Sequence, residues 1–283
     1  MLEEVNLCYQ AACEDDIDGV KKQVQRLLHN SRSTSEQNKP SSRWLFASLL
    51  IAIEKHNLEL VQFLLNERVV DEDLPFESAV RARAFEILEF FLGLGWDINT
   101  PIYASYVEFS SIPICTSDRQ MTEWLLDHGA DPNSRCDWDL TPISQAIYAA
   151  PLELIDYLFS RGANPRCGQL LHHAVLRDKS DALQVVRQVA ELGAPINEIK
   201  YETDPRGYSE REPFSLGTPL HRAAEFRKVG IIKYLLEMGA DPQKLDSKRQ
   251  TPRFWAETYG HTEMALILKE AEERQIHGTD IRY

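Results

Sequence analysis

Two adjacent histidines, His172 and His173, are the residues of this 283-residue chain that most resemble a ligand pair for a metal ion. The two take different places in the repeat that contains them, so the pair is not expected to close on one ion. Glu14-Asp-Asp-Ile-Asp18-Gly19 imitates the opening of a calcium loop. Its twelfth position is Gln25 where a bidentate Glu is needed, so a solvated turn between helices is expected instead. Cys136, Asp137 and His173 could together supply a nucleophile and a base, yet the cysteines have no recognisable His partner in sequence. The chain also lacks a Gly-x-x-x-x-Gly-Lys-Ser/Thr phosphate loop, a His-Glu-x-x-His metal helix and a Gly-x-Ser-x-Gly elbow. The expectation is no enzyme, no metal and no cofactor.

The elements that position these residues are legible in Gly217-Thr-Pro-Leu-His-Arg-Ala-Ala224, Ile231-Ile-Lys-Tyr-Leu-Leu236 and Gly239-Ala-Asp-Pro242. Thr218 can cap a helix, and Pro219 suits the first turn, where a missing N–H costs nothing. Ile231, Ile232, Leu235 and Leu236 recur at helical spacing and give a second helix its apolar face. Gly239 ends that helix by tolerating a left-handed backbone. The next Thr-Pro pair begins at Thr251, 33 residues after Thr218. This unit closely resembles an ankyrin repeat. The resemblance implies that His221 holds the Thr-Pro turn by hydrogen bonding and that Ala223 and Ala224 let the first helix pack closely. It also implies that His172 is structural, and that His173 beside it faces the groove.

Aligned on the small residue five places after the Thr position, the chain yields Ala11, Ala52, Ala79, Pro113, Ala146, Ala174, Ala223 and Ala256. Seven of these eight are alanine, which decides for about eight repeats: 3–29, 43–70, 74–99, 108–133, 141–164, 169–197, 218–241 and 251–272. Glycines close many second helices, at Gly95, Gly129, Gly162, Gly193 and Gly239. The predicted fold is a single all-α solenoid of antiparallel helix pairs joined by finger loops over 1–283. Glu3 to Leu28 and Tyr259 to Arg274 are read as its polar caps, and 275–283 as a frayed tail.

The chain is 43% hydrophobic, enough for a core shared as a ribbon between neighbouring repeats. No apolar run approaches the roughly 18 residues of a membrane span, and no leader pattern is evident. The odd set Cys8, Cys13, Cys115, Cys136 and Cys167, without Cys-x-x-Cys, favours reduced thiols and an intracellular, cytoplasmic or nuclear setting. Of the net charge of −13, residues 1–140 carry −12, with 12 basic and 24 acidic side chains. That argues against nucleic acid, which demands a basic face, and would suit a basic partner at the N-terminal repeats.

Four stretches depart from the repeat, and insertions of this kind often carry binding. Asn30 to Ser42 is polar and aperiodic, a mobile loop over 30–42. Trp96 to Ser111 places Tyr103, Tyr106 and Phe109 before Pro113, near which a short helix should begin. These aromatics either line a contact surface or fill the space beside the short helix. In Arg135-Cys-Asp-Trp-Asp139, Trp138 is the candidate anchor, with Asp137 and Asp139 placed to receive Arg or Lys. Its alternative is packing on the neighbouring finger by Cys167 and Gly168. Finally, Gln169 to Thr218 spans 49 residues. Most of the excess lies in a long finger, 197–217, with Tyr201, Tyr208 and Phe214. Its Asp204-Pro-Arg-Gly predicts a projecting hairpin, serving as contact arm or lid.

Tyr148, His173, Arg177, Arg222 and Phe226 are expected to join Arg135, Trp138 and the finger in one concave groove suited to an acidic-aromatic peptide. The expected function is a monomeric protein-interaction module, adaptor or scaffold, with no nucleic-acid or membrane partner. Two alternatives stand beside it. One is chaperone-like shielding of a basic client on the acidic N-terminal repeats. The other is a small-molecule site or enzyme under the 197–217 finger.

Overall fold

The computed structural model describes residues 2–31, 45–67, 74–100, 102–104, 107–109, 118–135 and 139–279. They form two compact units, Met1–Thr100 and Pro101–Tyr283.

The first unit is three antiparallel helix pairs: α1 (Leu2–Cys13) with α2 (Ile17–Ser31), α3 (Phe46–Glu54) with α4 (Leu58–Asn66), and α5 (Phe76–Ala82) with α6 (Phe85–Gly93). First helices pack on first helices, α1 on α3 and α3 on α5. Small residues make that approach possible: Ala12, Ala52 and Ala79 are fully buried between them. Leu60, Leu64, Leu88 and Phe91 of the second helices close the core, each contributing about 1.5–3 kcal/mol. Of the calcium-like stretch, residues 14–16 form the turn between α1 and α2, as expected, and residues 17–19 are the first turn of α2. Asp16 Oδ1 accepts the Gly19 N–H at 2.9 Å, and Asp15 accepts the Asn57 side-chain amide at 2.6 Å. Asn30 and Ser31, assigned from sequence to the mobile loop, instead belong to the last turn of α2. Residues 32–42 of that loop lie outside the described residues.

The second unit begins with an antiparallel hairpin, β1 (Ile102–Ala104) and β2 (Val107–Phe109), in which Tyr103 pairs with Glu108. This short hairpin lies in the stretch between α6 and α7, and the described residues are otherwise helix pairs and loops, the all-α architecture expected; the helix expected near Pro113 lies outside the described residues. Then follow α7 (Arg119–Asp127), α8 (Pro142–Ala149) with α9 (Leu152–Ser160), α10 (Leu170–Leu176) with α11 (Ala182–Glu191), α12 (Pro205–Arg211), α13 (Pro219–Glu225) with α14 (Val229–Glu237), and α15 (Pro252–Thr258) with α16 (Thr262–Thr279). The first helices α8, α10, α13 and α15 stack in sequence.

A side chain three residues after each starting position ties neighbouring pairs together. Ser144 Oγ donates to Gly168 O at 2.6 Å, His172 Nε2 to Gly217 O at 3.1 Å, and His221 Nε2 to Gln250 O at 3.1 Å. The other nitrogen of His221 lies 3.1 Å from the Thr218 N–H and 2.9 Å from its hydroxyl. Both histidines are therefore structural, as the resemblance implied. Each such bond contributes about 1 kcal/mol. The finger bases are stapled as well: Asn133 bonds Gly162 O and the Asn164 N–H, and Asn197 bonds Gly239 O and the Asp241 N–H.

Two further expectations are corrected. The 197–217 finger carries no hairpin; it folds into α12 and a 3₁₀ turn over Glu212–Phe214. Asp204-Pro205 opens that helix, with Pro205 in its first turn, so the turn signal was a helix start. Nor does helical structure end near residue 274, because α16 continues to Thr279.

Candidate functional site

Four residues hold the same register on successive first helices: Gln145, His173, Arg222 and Trp255, each four places after the residue that starts its helix. Trp255 is buried, donating its indole N–H to Asp246 Oδ2 at 2.8 Å. The Arg222 guanidinium lies over its ring, 5.2 Å from the centroid, and Nη1 donates to Glu225 Oε2 at 2.6 Å. Its Nε is shut from solvent with no acceptor among the described residues, and so is Nε2 of His173. Burial pushes the His173 imidazole down to about 3, with the charge of Lys200 adding to the effect. It is neutral at physiological pH.

Lys200 stands at the base of the long finger, where its N–H donates to Gly217 O at 3.1 Å and closes the loop that carries α12. Its ammonium lies 5.0 Å from the Tyr201 ring centroid. Burial, then the charges of Arg222 and Arg211, bring it down to about 8. Tyr201 takes a left-handed backbone, φ 65°, and its N–H donates to Gln169 Oε1 at 3.2 Å. Tyr208 is half-buried on α12. Tyr148 and Phe226 are exposed, each at 47%, at the C-terminal ends of α8 and α13.

Two of the expected contact residues face inward. Arg177 has no exposed surface. Its guanidinium donates to Ile147 O and Ala150 O, both at 2.8 Å, and to both oxygens of Asp181 at 2.6 and 2.7 Å. It ends α10 by satisfying the carbonyls at the end of α8, and is removed from the groove. Asp139 is only 7% exposed. It is bound within its own chain by Arg135 at 3.4 Å and Gln169 at 3.5 Å, and burial raises its pKa. It therefore offers no free carboxylate to a partner. Arg135, half-exposed, also donates to Cys167 Sγ at 2.8 Å. Tyr106, Cys136, Asp137 and Trp138 lie outside the described residues, and of Tyr103 only the backbone pairing is described.

Sequence reasoning missed Lys200, which has no motif of its own. Its signal was position, one residue before the aromatic Tyr201 in a finger of unusual length. Among the described residues, no group of three or more His, Cys, Asp or Glu side chains could hold a metal. Nor is any helix long and apolar enough to cross a membrane.

Residues 171–280 match the family model described as ankyrin repeats, in three copies. The chain is similar to alpha-latrocrustotoxin-Lt1a of Latrodectus tredecimguttatus, 24% identical over 218 residues, covering 70% of this chain and 14% of that protein. It is also similar to the putative ankyrin repeat protein FPV022 of fowlpox virus, 23% identical over 257 residues, covering 72% of this chain and 44% of that protein. A second fowlpox protein, the putative ankyrin repeat protein FPV230, is 22% identical over 215 residues, covering 74% and 90%. The chain thus spans less than half the length of the first two relatives.

Proposed function

This chain is an ankyrin-repeat protein, and from that premise we propose that it captures a partner protein or peptide segment in the groove between its first helices and fingers, as an adaptor or scaffold built of about eight repeats. Ankyrin repeats are generally protein-interaction modules. The observation that carries the finer reading is the surface of the second unit. Exposed Tyr148 and Phe226 stand at the ends of α8 and α13, and His173 and Arg222 lie on α10 and α13, helices stapled to their neighbours. Aromatic anchors beside fixed donors suit a protein surface, and a preformed scaffold loses little order when it is occupied.

The test is capture on the immobilised chain, comparing wild type with the double variant Tyr148→Ala/Phe226→Ala and with Trp138→Ala, at low and high salt. The expected result is a discrete protein whose retention survives salt and falls at least about tenfold in the double variant. A client that is released by salt and ignores these substitutions would move the site to the acidic N-terminal repeats. Co-purification of a small molecule alone would favour the ligand-binding alternative.

A further inference from the structure

We propose that α16 pairs with α16 of a second copy of this chain, antiparallel and about a two-fold axis beside Ala271. This goes beyond the interaction reading above and does not depend on it. The helix ends the stack of described repeats, where a polar outer face is expected. Yet Leu266 is 55% exposed and Ile276 52%. Apolar residues exposed singly need no explanation, but the spacing of these two, and of the charges between them, asks for one.

Leu266, Lys269, Glu273 and Ile276 recur at intervals of three, four and three residues, the seam of a left-handed helix pair. Met264 and Leu268, on the other side of α16, are buried within the chain, so the seam faces outward. Lys269 and Glu273 are both exposed, with Nζ 3.8 Å from Oε1. Leu266 and Ile276 stand five residues on either side of Ala271, and Lys269 and Glu273 two. Reversing the helix about that point sets Leu266 against the partner's Ile276 and Lys269 against the partner's Glu273. Two-fold symmetry makes each contact twice. A parallel pair would instead set Lys269 against the partner's Lys269 and Glu273 against the partner's Glu273, so the charges select the antiparallel arrangement.

The surface beside Leu266 fits the same register. A depression of about 330 Å³ is lined there by Glu257, Gly260, Thr262, Ala265, Leu266 and Lys269. The partner's Ile276 arrives against Leu266 and seats in it. The seam spans about three turns, a small contact beside the roughly 1,200 Å² or more that a stable dimer buries. The dimer is therefore expected to form only above about 10 µM, and the monomer expected from sequence is the state below that.

Sedimentation velocity on the full-length chain, from about 1 to 500 µM, tests the pairing, with circular dichroism as the check of folding. Wild type is expected to pass from monomer to dimer over that range. Leu266→Glu, Lys269→Glu and Glu273→Lys should each weaken the dimer at least about tenfold, by placing a charge on the apolar contact or like charges opposite each other. Lys269→Glu/Glu273→Lys exchanges the two charges and should return the dimer to within about threefold of wild type. An equimolar mixture of Lys269→Glu and Glu273→Lys should also pair, since each copy then meets the opposite charge on the other. Wild type that stays monomeric throughout would overturn the proposal. So would a dimer indifferent to Leu266→Glu, or a double variant or mixture as weak as the single reversals.

Discussion

Arg177 shows how much a single side chain can decide. A guanidinium with no exposed surface is tolerated because four donor contacts meet two carbonyl oxygens and a carboxylate. Removing it leaves Ile147 O, Ala150 O and Asp181 without their partner. Arg177→Met is therefore expected to destabilise the protein by about 3 kcal/mol or more, measured by urea unfolding. Arg177→Lys should rescue little of this, since a point charge cannot reproduce the planar fork. An unchanged midpoint in Arg177→Met would mean that the buried network contributes nothing. From sequence Arg177 was assigned to the groove, because the first-helix register points its neighbours there. That register could not reveal the unpaired carbonyls at the end of α8, 27 and 30 residues earlier in the chain.

The elements were more legible than their tips. Thr-Pro starts and glycine stops are local backbone signals, and they placed α13, α14 and α15 without a tertiary contact. Gly168 belongs to the same class, although its reason is tertiary. Its φ is +77°, and an added Cβ would run into the side chains of Ser144 and Thr141, the pair that starts α8 and reaches Gly168 O. Gly168→Ala should cost about 3 kcal/mol by combining a left-handed backbone with a clash. A loss of well under 1 kcal/mol would show that this junction yields easily. The finger tip was misread for the opposite reason. Asp-Pro-Arg-Gly is compatible with a turn or with a helix start, and the choice belongs to what lies beneath. Gly207 sits against the Tyr201 ring and the Asp204 carboxylate, so its bare backbone allows α12 to fold down over the finger base.

At the scale of the whole molecule, the buried histidines couple stability to pH. Burial is the leading cause in each: His172 is lowered well below its usual value, His173 to about 3 and His221 to about 4. In an unfolded chain histidine titrates near 6.5. The unfolded state therefore takes up protons first as the pH falls. The stabilisation is fully present above pH ~6.5 and is lost as the pH drops through about 4. Each such histidine contributes a slope of about 1.4 kcal/mol per pH unit in that window. Unfolding free energies between pH 7 and 4.5 should fall steeply for wild type and less so for His221→Gln, by about one histidine's slope. Parallel lines for the two proteins would refute the assignment, and the comparison cancels the carboxylates common to both.

The sequence by itself determined that the chain is built of helix pairs, where most of them start and stop, and which alanines let first helices approach. Those features repeat every 33 residues at their clearest and depend on backbone preferences that each segment carries alone. Only the tertiary structure decided which polar residues of the first helices are consumed within the chain. Arg177 and His173 lie four positions apart on and beside one helix, yet one is saturated by carbonyls of the preceding pair and the other is left with an unpaired nitrogen. That difference comes from the neighbouring repeat and the inserted finger, because hydrogen-bond partners dozens of residues away set the fate of a side chain whose local sequence is silent about them.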